Sequence, residues 1–172
     1  MVLAGSGAMP VPPINAPARA VDFGRWETTT SHCTWQRSPS RLRHNCRGLR
    51  LEQNLHGLLS VRFLADGQGK LIALEHLVFA GALESGQGGM RCDNGGRCLP
   101  QWPARLAVAT VADASFDQRG LVMGLPRTHL ARGDCQLERT RVRCQAKGHN
   151  GETWIAEAIL TGPAPESAGP PR

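Results

Sequence analysis

Apolar and polar side chains alternate along most of the chain, in short stretches separated by turn residues. This period-two pattern predicts β-strands that turn one face toward a core. The connecting stretches contain Pro, Gly, Asn and Asp, which suit tight reversals. The sequence therefore predicts an all-β, mostly antiparallel domain, a small β-barrel or β-sandwich of about eight short strands built from hairpins. The predicted strands are residues 26–36, 42–53, 58–65, 71–80, 105–111, 135–138, 141–146 and 153–160.

Two segments fit this pattern less clearly. The apolar positions of residues 71–83 also match one face of a helix, so strand and helix both stay open, with strand slightly favoured. Residues 115–132 contain Gly120, Gly124 and Pro126. We expect this second segment to be mostly loop.

The six cysteines form close pairs along the chain, none in a C-x-x-C arrangement. Each pair brackets a predicted turn, which indicates disulfides across hairpins and a periplasmic or secreted protein. A structural zinc site would need closer pairs with clustered histidines, so we expect neither metal nor cofactor. The predicted disulfides are Cys33–Cys46, Cys92–Cys98 and Cys135–Cys144.

The first cysteine hairpin places Trp35 opposite His44, on the same side as the two sulfurs. Continued along both strands, this register would set Glu27 against Glu52, an unfavourable like-charge pair. We therefore expect a β-bulge near Gly48 that changes the register.

The last hairpins give a second test of register. A two-residue turn after Glu138 puts Cys135 opposite Cys144. A two-residue turn at Asn-Gly, 150–151, would then place Glu157 on the same apolar face, where an ionised carboxylate is costly. Three interpretations are open: Glu157 has a function, it pairs with an inward arginine such as Arg62, or the assumed turn is wrong. We favour the last interpretation.

The net charge is +6, and nearly all of the positive charge is arginine. Arg41, Arg43 and Arg47 share one side of a predicted strand and could contact phosphate, sulfate or carboxylate groups of an anionic polymer or surface. Together with Trp35 and His44 they are the predicted binding residues. Specific nucleic-acid binding is not expected, because no aromatic residues interleave with the stripe. The alternative is a solvated hairpin edge that charge protects from aggregation.

The two ends differ from the body of the chain. Residues 1–20 are a leader remnant or a disordered tail, ending in Ala18-Arg19-Ala20, the small-x-small form that signal peptidase prefers. Residues 21–161 form a single disulfide-stabilised β domain, and residues 162–172 are a disordered tail rich in Pro and Gly. No stretch approaches the roughly 20 apolar residues of a membrane-spanning helix, so no transmembrane segment is expected.

Gly24, Arg25 and Trp26 open the first predicted strand. This triplet resembles the G-x-W that begins the barrel in lipocalin-like proteins, and the length and the run of hairpins are similar. The later arginine motif of that family is not identifiable here. The resemblance implies a small-molecule cavity lined by residues such as Trp26, Phe63 and Phe79.

Motifs for nucleophilic catalysis, phosphate binding and paired metal ligands do not occur in the sequence. We therefore expect a non-catalytic binding or structural-interaction module, with no catalytic residue assigned. The alternatives are a secreted hydrolase-like enzyme that uses His44 or Glu157, and a lipocalin-like carrier of small molecules.

Overall fold

The part of the chain that the computed structural model describes, residues 24–40, 42–55, 57–92 and 98–161, contains eleven β-strands. Within these ranges no helix is long and apolar enough to cross a membrane. The predicted terminal tails, 1–20 and 162–172, lie outside the described residues. The strands are β1 Gly24–Arg37, β2 Arg43–Asn45, β3 Gly48–Leu55, β4 Leu58–Asp66, β5 Leu74–Leu83, β6 Met90–Cys92, β7 Cys98–Pro100, β8 Ala104–Phe116, β9 Arg127–Leu137, β10 Arg141–Gly148 and β11 Thr153–Leu160.

Eight strands close into an antiparallel barrel in the order β1, β3, β4, β5, β8, β9, β10 and β11. Closure comes from the last strand, which pairs with the C-terminal half of β1. Strand β2 extends the sheet beside β1, and β6 with β7 forms a separate hairpin between β5 and β8. The predicted all-β fold is confirmed, and of the two predicted architectures the structure is the barrel.

Strict alternation builds the interior of the barrel. In β10, for example, Val142, Cys144 and Ala146 are buried while the residues between them are exposed. The small inward side chains of β9–β11 and the large ones of β3–β5 belong to one core cluster. Combining small and large side chains is how a narrow barrel fills its interior.

The aromatic residues that the lipocalin resemblance placed around a cavity are packed in this core. Phe63 and Phe79 are fully buried and meet edge to face, with ring centroids 5.9 Å apart. Trp26 is partly buried and packs edge-on against Trp102 at 5.6 Å. Side chains thus fill the barrel at the level of these rings.

The three predicted disulfides are confirmed, and they join neighbouring strand segments. Their Cα–Cα distances are 4.9 Å for Cys33–Cys46 and 4.0 Å for both Cys92–Cys98 and Cys135–Cys144. Three disulfides of this kind indicate an oxidising compartment outside the cytoplasm.

The first cysteine hairpin changes register as expected. Trp35 pairs with His44 in the β1–β2 ladder. In the β1–β3 ladder, Glu27 lies opposite Arg50 rather than Glu52. The shift between β2 and β3 replaces a like-charge pair by opposite charges, and Arg50 Nε donates to the Glu27 carboxylate at 2.7 Å.

The assumed two-residue turn before β11 is wrong, as favoured, and Glu157 does not lie on the apolar face. Lys147 pairs with Thr153, so five residues, 148–152, connect the ladder of β10 and β11, and Ala156 faces Cys144. A one-residue change in register moves every side chain to the opposite face of a strand. Glu157 therefore points outward, where its carboxylate accepts hydrogen bonds from Arg141.

The structure decides both ambiguous segments. Residues 71–80 lie mostly in β5, as favoured, and 115–132 is mostly loop, as predicted, because residues 117–126 connect β8 and β9. Strand β8 continues to Phe116, and β9 begins at Arg127, directly after Pro126. Gly120, Gly124 and Pro126 lie only in the connection between β8 and β9. Pairing with β8 makes β9 begin earlier than the local composition indicates.

Candidate functional site at the barrel mouth

The interior changes character at one end of the barrel, which we call the mouth. There β1 and β8 end, and β5, β9 and β11 begin. Every second side chain of β8 points into the barrel, and Val111 is one of them. The next two on the same face are Asp113 and Ser115. A cavity of about 170 Å³ lies at the mouth. Its lining includes Trp35, Arg37, His44, Asp113, Arg127 and Trp154.

Four charged side chains form an ion cluster beside this cavity. Arg37 contacts Glu152 at 2.7 Å and Asp113 at 3.7 Å, and Arg127 contacts the same Asp113 at 2.7 Å. Two cations thus hold two carboxylates from other strands and loops. Because the side chains of Arg37, Asp113 and Glu152 are mostly buried, these pairs are less screened than pairs on an open surface.

Glu152 stays ionised at neutral pH. A hydrogen bond from the Asn150 side-chain amide, at 2.8 Å, and then the Arg37 guanidinium hold its pKa below the usual range for glutamate. The mouth therefore keeps a fixed negative charge among its cations.

His129 lies between the two carboxylates of the cluster. Its Nε2 atom is 3.9 Å from Asp113 Oδ1, and its Nδ1 atom is 3.8 Å from Glu152 Oε2. The ring also packs against Trp154, with centroids 5.2 Å apart. Both distances to oxygen exceed a hydrogen bond, so a small displacement or a bridging group would be needed for proton exchange.

Aromatic rings form the other part of the mouth. Trp35 and His44 stack nearly in parallel, with centroids 5.7 Å apart and an interplanar angle of 16°. The Arg37 guanidinium lies 5.7 Å from the Trp154 ring centre, within cation–π distance. Flat apolar surfaces therefore lie next to the charged cluster.

Several buried polar atoms at the mouth have no hydrogen-bond partner. Among the described residues, seven buried side-chain atoms are in this state, and four belong to His44, Asp113, His129 and Trp154. Buried polar atoms are nearly always paired in folded proteins, since an unpaired one loses its hydration without compensation. Their concentration beside one cavity leaves donors and acceptors with which a molecule from outside the protein can form hydrogen bonds.

The predicted binding residues divide into two groups. Trp35 and His44 are brought together at the cavity. Arg43 and Arg47 are exposed away from it, and the Arg47 guanidinium contacts Asp66 at 2.8 Å. Arg41 lies outside the described residues, so the stripe as an anion site stays a prediction.

The sequence analysis missed the ion cluster. A usable signal was present for Asp113, which follows buried Val111 by two residues and so shares its face. His129 was hidden because its segment was predicted to be loop. Arg37 and Glu152 meet across 115 positions of sequence, a separation that no local pattern indicates.

Comparison of the chain with models of protein families, with curated proteins and with solved structures finds no match.

Proposed function

We propose that this protein binds a small, hydrogen-bonding molecule at the barrel mouth, as a non-catalytic binding module. The observation that carries the proposal is a group of four buried polar atoms without hydrogen-bond partners, three in residues that line the cavity and one in the adjacent His129. A ligand with both donors and acceptors would compensate their lost hydration.

The size and charge of the mouth define the ligand class. The volume of about 170 Å³ is comparable with the roughly 150 Å³ that admits one benzene ring. The two arginines and two carboxylates of the ion cluster offset each other, which favours a neutral or zwitterionic molecule. The stacked Trp35 and His44 rings offer a face to a planar or ring-shaped group. A long apolar ligand, as in a lipocalin-like carrier, would have to displace the packed Phe63 and Phe79.

Thermal unfolding in a panel of free amino acids, monosaccharides and nucleobases tests this proposal. A ligand raises Tm by mass action, with about 2.7 kcal/mol of stabilisation at a hundred times Kd. We expect Asp113→Asn to reduce the response and Asp134→Asn to retain it. Asp134 is the matched control, because its exposed carboxylate binds Gln145 on the outer wall.

Tryptophan fluorescence gives an independent readout of the location, since Trp35 and Trp154 both line the cavity. Two results would contradict the proposal: a panel without any stabilising compound, or a compound whose effect is equal in both aspartate variants.

We further propose that the chain is exported, to the periplasm or the cell exterior, by a signal peptide that ends at Ala20. The three disulfides support an oxidising compartment, and the small-x-small triplet supports cleavage. N-terminal sequencing of the natural protein should begin at Val21. A natural protein that retains the preceding residues would contradict cleavage at this position.

A second candidate is a hydrolase-like activity in which His129 acts as a general acid or base. Its position between Asp113 and Glu152 favours His129 for this role over Glu157, which the sequence offered with His44 as an alternative and which faces away from the cavity. Hydrolysis of a chromogenic ester should then fall at least a hundredfold in His129→Gln, in line with the roughly 10²–10⁴-fold contribution of general acid–base catalysis. An unchanged rate would exclude the role.

A further inference from the structure

Large apolar side chains are exposed on the loops that surround the mouth. Three connections contribute: 38–42 between β1 and β2, 67–73 between β4 and β5, and 117–126 between β8 and β9. Leu125 is 92% exposed. We call this set the apolar rim, and it consists of Leu42, Leu71, Leu121, Val122, Met123 and Leu125.

The longest of these loops is held firmly in this conformation. The Asp117 carboxylate accepts the backbone N–H groups of Arg119 and Leu121, each at 2.9 Å, and these bonds hold its pKa below the usual range. The Met123 N–H donates to the carbonyl of Ser115 at 2.7 Å. The exposure of the apolar side chains is therefore part of an ordered structure.

The β4–β5 loop is hydrogen-bonded to the end of β8. The backbone N–H of Ala73, the last residue of this loop, donates to the Phe116 carbonyl at 2.8 Å. Phe116 also bridges to Val122 within the β8–β9 loop. Leu71 and Leu125 consequently project from adjoining loops at one end of the molecule.

Basic side chains accompany the apolar rim. Lys70 precedes Leu71 and Arg43 follows Leu42, and both basic side chains are exposed. Arg119 and Arg127 flank the apolar run of the β8–β9 loop, where Asp117 and Asp113 offset their charges, and the Asp66 carboxylate is paired with Arg47. With a net charge of +6 for the chain, this end of the barrel complements an anionic surface.

We propose that the apolar rim inserts into the interface of an anionic phospholipid membrane, with the barrel mouth facing the bilayer. Apolar side chains that enter the headgroup region beside cations which attract acidic lipids are the usual basis of peripheral membrane binding. The exposed apolar side chains come from three separate loops, and a fluid surface accommodates side chains from several loops more readily than a rigid protein partner does.

Flotation with lipid vesicles tests the proposal. The intact protein should float with vesicles of phosphatidylglycerol and phosphatidylcholine, and less with phosphatidylcholine alone. We expect Leu125→Asp to lower the partition coefficient at least about tenfold, because a leucine inserted in the interface is replaced by a charge. Leu71→Asp should act in the same direction.

Leu99→Asp is the matched control. Leu99 is 64% exposed but lies on β7, in the hairpin that follows β5 at the opposite end of the barrel. It should leave vesicle binding unchanged. Circular dichroism verifies the fold of each variant, and all these positions are exposed, so the folded structure should persist.

Four results would overturn the proposal. The first is that the protein does not float with anionic vesicles, and the second is that Leu125→Asp and Leu99→Asp lose vesicle binding equally. The third is vesicle binding that high salt abolishes but Leu125→Asp does not change. The fourth is self-association through the apolar rim, measured by size-exclusion chromatography, in a protein that does not bind vesicles. Ligand binding at the cavity is measured without lipid, so either proposal can fail alone.

Discussion

His76 should make the protein less stable in mild acid. It alternates with the core-facing Leu77, and its ring is 6% exposed on the outer side of β5, packed 4.5 Å from the Phe116 ring. Neither ring nitrogen has a hydrogen-bond partner. Burial first, then the positive charges of Arg62 and Arg50, lower its pKa from 6.5 to about 4.

This lowered pKa has a definite sign for stability. Between pH 6.5 and about 4 the unfolded chain binds a proton at this position that the folded protein does not. The free energy of unfolding therefore decreases as pH falls through this interval. The full shift corresponds to between about 3 and 4 kcal/mol, and we expect about 2 kcal/mol with screening by nearby solvent included. The carboxylates of Glu52 and Glu27 oppose the two arginines and are already included in the shift.

Substitution His76→Leu removes the titrating group and leaves a side chain suited to an apolar site. Urea unfolding at several pH values should show that the variant loses about 2 kcal/mol less stability than the parent between pH 6.5 and about 4. His149→Leu is the matched control, in the exposed loop before β11. The reasoning is refuted if the His76 variant keeps the pH dependence of the parent, or if both variants reduce it equally.

Three further variants and one control test the architecture by urea unfolding. Replacing both Cys135 and Cys144 by alanine should lower the free energy of unfolding by about 2–3 kcal/mol, because the disulfide no longer restricts the unfolded chain. An unchanged urea midpoint would contradict this contribution of the disulfide. Gly133→Ala should cost at least about 2 kcal/mol, since a Cβ there would overlap the backbone of β10. Gly57→Ala, a control with open space around it and only a positive φ, should cost about 1 kcal/mol. Glu157→Gln should change stability by less than about 1 kcal/mol, as for an exposed ion pair, and a larger loss would contradict this expectation.

Much of the candidate site could not have been predicted from the sequence. The Trp35–His44 contact was predictable, because the two residues lie in one hairpin whose register the cysteine pair defines. Asp113 could have been found by extending the alternation of β8 beyond Val111. Contacts between the β1 end and the β10–β11 loop, such as Arg37 with Glu152, depend on how the sheet closes.

The sequence by itself determined the local elements of this protein. Alternating side chains, turn residues and cysteine spacing act over a few positions, so they specify strands, hairpins and disulfides. Tertiary structure alone decided between barrel and sandwich, because closure requires β1 to pair with β11. It also decided which face Glu157 occupies, since five connecting residues between β10 and β11 reverse the face that a two-residue turn implies. The mouth exists only after closure, because its charged and aromatic side chains come from strands and loops far apart in the chain and become neighbours only when the sheet has formed a ring.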